Sequence, residues 1–261
     1  QGSLGMLLLT AAADGTHDAA SGLAQEDHVD AECQKRVPII DGARDRLWRM
    51  VDDMQPAGDA RLTPGVANPA FGSPDVRVVQ LQVASGPRHY DNWRADPVMA
   101  GLGSVHNVGV HGLDFLRVLL HSDPVEVMAM FDQAPGSGEV EMLALIQLRF
   151  ENGVMVQYNA NEKLRDPLND IVIYGTQGRV VGKSFTRSRS DGELAILTDA
   201  GETTTGYPAP EAHRLSLAAF TNSVLSGEEP NASGLDGLRS AQVCEAIERS
   251  ARERRLVEVI Y

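Results

Sequence analysis

Asn107 and His111 stand four residues apart in the run Asn107-Val108-Gly109-Val110-His111-Gly112-Leu113-Asp114, ahead of an apolar stretch. On a helix that spacing puts both side chains on one face, with Asp114 one turn further along. An imidazole oriented by a neighbour works as acid or base near neutrality, so His111 is the candidate proton-transfer residue, with Asn107 beside it in the catalytic pair. The plainer readings are a hydrogen-bonded helix histidine for His111 and a helix cap for Asn107, because Asn favours cap positions. Upstream, Arg88, His89, Tyr90, Trp93 and Arg94 form a polar aromatic cluster suited to rim an oxygen-rich, sugar-like ligand; a solvated loop is the competing reading. Cys33 reads as a small buried apolar residue, reactive only if a base lies close.

The elements that must position these residues change character along the chain. Met6 to Leu9 is apolar at every position, the pattern of a parallel-sheet strand buried on both faces, and Asp41 to Met54 carries Leu47, Met50, Val51 and Met54 at helical spacing. Residues 55–75 hold four prolines and several glycines and read as a linker. Beyond it the period is two. Arg77 to Val83 alternates, and Glu126 to Phe131 is a further strand. Met142, Ala144, Ile146, Leu148 and Phe150 share one face, and Asn152-Gly153 predicts a hairpin returning through Val154, Val156 and Tyr158. Strands over 171–174, 179–182 and 193–198 follow, then helices over 211–226 and 235–252 and a last strand over 256–260. The fold expected is α/β plus α+β, with a mostly antiparallel, open-faced sheet covered by helices on one side in the second part.

Composition excludes several functions. Lys plus Arg number 23 against 36 Asp plus Glu, a net charge of −13, with no basic block to neutralise phosphates, so neither nucleic acid nor an anionic membrane is an expected partner. Two cysteines, Cys33 and Cys244, fit a reducing, cytoplasmic setting. Met6 to Leu9 is too short to span a bilayer and lacks the basic flank of a signal peptide; Met6 reads as a native start, and a truncated sequence reads equally well. His106 and His111 are five apart, no Cys-x-x-Cys is present and the other histidines are scattered, so no metal site is expected.

The order Trp93-Arg94-Ala95-Asp96, Gly101-Leu102-Gly103-Ser104 and Asn107 to Asp114 resembles the hallmark of the glucose-fructose oxidoreductase and inositol dehydrogenase (Gfo/Idh/MocA) family, where a Gly-rich turn leads into Asp-x-Gly-x-His-x-x-Asp. Phe150-Glu151-Asn152-Gly153, Ile173 to Gly178 and Gly234 to Leu238 continue the resemblance in order. It implies a truncated Rossmann-like remnant over 6–64, a linker over 65–75 and the oxidoreductase-like domain over 76–261. It also implies three chemical positions, the Lys, Asp and His of the family, which fall on Cys33, Asn107 and His111; Lys35 lies two places off. The Gly-x-Gly-x-x-Gly turn that holds a dinucleotide is not found, and Gly101-Leu102-Gly103 belongs to the later motif.

The resulting expectation is an enzyme without cofactor, its NAD(P) binding lost unless another chain completes the site, using His111 for lyase, isomerase or cyclase chemistry on a polar sugar-like small molecule. Two alternatives stand beside it: a non-catalytic partner of a full-length homologue or a biosynthetic assembly, and an NAD(P)-dependent sugar or polyol oxidoreductase whose cofactor site is completed elsewhere. A homodimer or higher oligomer is expected through an exposed strand edge at Met6 to Leu9 and through Met155, Gln157 and Asn159 on the open face of the sheet.

Overall fold

The computed structural model describes residues 76–186, 191–209, 212–230 and 232–261. The expected remnant, the linker and Cys33 lie outside them. The described residues form one nine-stranded sheet in the order β8-β7-β6-β5-β1-β4-β3-β2-β9. Its strands are β1 (Val76–Ala84), β2 (Pro124–Phe131), β3 (Leu143–Phe150), β4 (Met155–Asn161), β5 (Ile171–Gly175), β6 (Gly178–Lys183), β7 (Gly192–Thr198), β8 (Gly201–Tyr207) and β9 (Val257–Glu258). Every neighbouring pair is antiparallel except β1 and β4, which run parallel from Val78↔Met155 to Ala84↔Asn161. The mostly antiparallel, open-faced sheet expected from the alternating pattern is therefore present.

The period of two decides which face is covered. Ala144, Ile146, Leu148 and Phe150 of β3 and Val156, Tyr158 and Ala160 of β4 point to one side and are buried, while Leu145, Gln147, Met155 and Gln157 point to the other. On the buried side lie α2 (Val110–Leu120), which contributes Leu113, Leu116 and Leu120, and α4 (Gly234–Glu253), which contributes Val243, Cys244 and Ile247. The turn between β3 and β4 follows its sequence: Gly153 has φ 86°, and the Asn152 side chain donates to Leu120 O at 3.1 Å and accepts from Val154 N at 3.2 Å. α4 starts on a capping box in which Ser233 and Asp236 satisfy each other's backbone N–H groups. A short helix, α1 (Pro97–Ala100), and a longer one, α3 (Ala212–Ser226), complete the described elements. Among the described residues no helix is long and apolar enough to cross a membrane.

Candidate functional site

Residues 105–109 do not continue α2 as an α-helix. They form one π turn, in which Val110 N–H bonds to Val105 O, five residues back. The additional residue per turn leaves Gly109 C=O to the Tyr158 hydroxyl, which donates to it at 2.8 Å from β4. Close approach makes this contact specific. A Cβ at Gly112 would lie 2.3 Å from the Tyr158 oxygen, so glycine is required where α2 crosses that ring. The wider turn also changes which side chains meet. His106, Asn107 and His111 all line one cavity of about 560 Å³ with Arg88, Tyr90 and Glu162, although an α-helix would separate residues five apart.

A buried carboxylate forms the floor of this cavity. Glu162, fully enclosed, accepts from Ser85 Oγ at 2.9 Å, from Tyr90 Oη at 2.9 Å and from Asn107 Nδ2 at 2.7 Å. Asn107 Nδ2 also donates to Tyr90 Oη at 2.6 Å, and Arg88 Nε lies 3.3 Å from Glu162 Oε1. Burial, followed by the hydrogen bond to Glu162, pushes the Tyr90 phenol up to about 12. Tyr90 therefore stays protonated near neutrality and serves as a fixed donor. Trp93 and Arg94 stand at the rim, held by two consecutive turns in which Asn92 accepts from Arg94 N at 3.0 Å and Asp96 from Val98 N at 2.8 Å. The Arg94 guanidinium stacks 4.5 Å from the centre of the Trp93 ring.

Of the residues singled out from sequence, Arg88, Tyr90, Arg94, Asn107 and His111 meet at this cavity, and Trp93 lines the neighbouring one. His89 is exposed and lines neither cavity. Asn107 is a side-chain donor within the π turn, not a cap. Asp114 turns away toward Arg117, which also meets Asp123 and Asp236. Burial raises the Asp114 carboxyl, and its Oδ2 has no hydrogen-bond partner. Sequence reasoning missed Glu162. Its signal was parity: Val154, Val156, Tyr158 and Ala160 point inward, and the next inward position is a glutamate.

Gly101-Leu102-Gly103 was also assigned to the later motif, and the structure gives it a definite task. Gly103 N and Val105 N donate to the two carboxylate oxygens of Glu141 at 2.7 and 2.9 Å, and Ser104 N donates to Glu141 O at 2.8 Å. Burial raises the Glu141 carboxyl, opposed by these N–H groups. An internal anion thus takes the donors a phosphate would need. The described residues do not fit the pyrophosphate of a dinucleotide. Among the described residues no group of three or more His, Cys, Asp or Glu side chains could hold a metal ion.

Residues 67–181 match the family model described as the GFO/IDH/MocA C-terminal domain. The chain is 26% identical over 174 residues, 66% of this chain and 52% of the relative, to a 1,5-anhydro-D-fructose reductase of Ensifer adhaerens. Among solved structures it is similar to an aldose-aldose oxidoreductase of Caulobacter crescentus complexed with glycerol, with 27% identity, 72% of this chain and 57% of that one covered, and a TM-score of 0.63. The fold is shared with levoglucosan dehydrogenase, solved in complex with NADH and levoglucosan, at 19% identity and a TM-score of 0.64 over 88% of this chain and 65% of that one. The chain spans about half the length of the curated relative it matches.

These relatives correct two expectations. Cofactor-free lyase, isomerase or cyclase chemistry and the absence of a cofactor are overturned, because the relatives are a reductase and oxidoreductases, and one dehydrogenase of this fold is solved with NADH. The expectation of an enzyme agrees with them. The expectation rested on the missing Gly-x-Gly-x-x-Gly turn and on Cys33 and Asn107 standing where the family has a lysine and an aspartate.

Proposed function

We propose that this chain is the substrate-binding part of an NAD(P)-dependent sugar or polyol oxidoreductase. The observation that carries the reading is the enclosed Glu162 carboxylate, ringed by Ser85, Tyr90 and Asn107 and open to a cavity edged by His111. Vicinal hydroxyls both donate and accept, and this cluster offers both kinds of group from fixed positions. Glu162 accepts from a substrate hydroxyl. The Arg88 guanidinium donates, the Asn107 amide oxygen accepts, and Tyr90 holds Asn107 and Glu162 in register. His111 takes the proton from the hydroxyl undergoing oxidation. A nicotinamide held outside the described residues supplies the hydride acceptor. Association with a second copy or a full-length relative through the open face carrying Met155, Gln157 and Asn159 belongs to the same proposal.

Calorimetric titration of the full chain with D-glucose, myo-inositol and 1,5-anhydro-D-glucitol is expected to give saturable binding. In the presence of NAD or NADP, and of a full-length relative if one is required to bind it, oxidation of the bound polyol is expected to fall about 10²- to 10⁴-fold in His111→Ala. Absence of saturable binding for every polyol in the millimolar range overturns the reading, as does an unchanged rate in His111→Ala.

A further inference from the structure

We infer that the ligand of this cleft is a polyol ring carrying an apolar substituent, the ring lying over Glu162 and the substituent entering a bay between Trp93 and the first turns of α4; this rests on the function proposed above. A second cavity, of about 290 Å³, adjoins the polar one and shares Tyr90, Arg94, His106, Asn107 and Val110 with it. Its own walls differ in chemistry. They are Trp93, Ala100, Leu102, Ala241 and Cys244, with Ser240 and two glycines, and carry no charged side chain. Cys244 is a neutral group there, because burial, aided by the charge of Glu141, pushes its thiol up to about 12.

A sugar hydroxyl entering this bay would give up water for few partners and lose binding free energy. An aryl or alkyl group gains it by leaving water. The indole of Trp93, fixed by the stacked Arg94, presents a flat apolar surface at the bay mouth, the usual partner of an aromatic ring or a hydrocarbon chain. The two cavities meet at Asn107, so a single molecule with one polar and one apolar end can occupy both. The chemical class is an aryl or alkyl glycoside or a comparably substituted polyol.

The test is titration of the full chain with matched methyl and phenyl pyranosides in the gluco, galacto and manno series. At least one phenyl glycoside is expected to bind tenfold or more tightly than its methyl counterpart. In Ala241→Phe, which fills the bay from an exposed helix position, that ratio is expected to fall to within twofold, with thermal unfolding checking the fold. Binding of the pyranosides with a ratio below tenfold throughout overturns the inference and leaves the proposed function intact. A tenfold ratio that survives Ala241→Phe also overturns it, because the apolar group then sits elsewhere. Displacement of the phenyl glycoside by nicotinamide mononucleotide, itself abolished by Ala241→Phe, makes the bay a cofactor pocket and overturns it as well. Failure of every pyranoside to bind removes both the inference and the proposed function.

Discussion

Two buried glutamates flank the π turn, and they are solvated in opposite ways. Glu141 is met by backbone N–H groups of Gly103 and Val105, which cannot swing aside and leave no room for another ligand. Glu162 is met by the side chains of Ser85, Tyr90 and Asn107, of which Tyr90 and Asn107 line the cavity. A carboxylate satisfied by main chain fixes local geometry, whereas one satisfied by side chains at the wall of a cavity has neighbours that can also meet a ligand hydroxyl. Glu141 is thus enclosed by its own turn, while Glu162 faces a cavity.

The contrast is broken most severely at Gly103. A Cβ there would lie 2.0 Å from the Glu141 carbonyl oxygen, so Gly103→Ala is expected to cost about 3 kcal/mol in urea unfolding through overlap and lost hydrogen bonds. A loss below about 1 kcal/mol would mean that the Glu141 clamp does not define the turn. Glu162→Gln sharpens the other side: polyol affinity in calorimetry should drop about tenfold while stability changes by about 1 kcal/mol. A stability loss equal to that of Gly103→Ala with unchanged affinity would make Glu162 a second internal plug. The smallest effect belongs to His89→Ala, for which stability within about 0.5 kcal/mol of the parent and affinity within twofold are expected by the same measurements, since the imidazole is exposed and lines neither cavity.

Much of the scaffold was legible because burial imposes parity. The alternation through Ala144, Ile146, Leu148 and Phe150, the Asn152-Gly153 turn and the two late helices appear where the residues place them, with ends shifted by one to three positions. β8 was missed because Gly201-Glu202-Thr203-Thr204-Thr205 is exposed on an edge, where no buried face writes a pattern. The π turn was missed because its cause lies elsewhere in the chain, in the hydroxyl of Tyr158 and the carboxylate of Glu141. Half of the site was readable from Asn107, His111 and the aromatic cluster. Glu162 and Ser85 were not, because only pairing of distant strands brings them beneath Asn107.

That pairing governs when the cavity can first exist. β1 is made early yet lies between β4 and β5, and Ser85 at its end must wait 77 residues for Glu162. A nascent chain stalled before residue 155 has no parallel neighbour for β1, so its apolar row stays wet on the ribosome. The Ser85–Glu162 contact therefore forms only once β4 has been made and paired with β1.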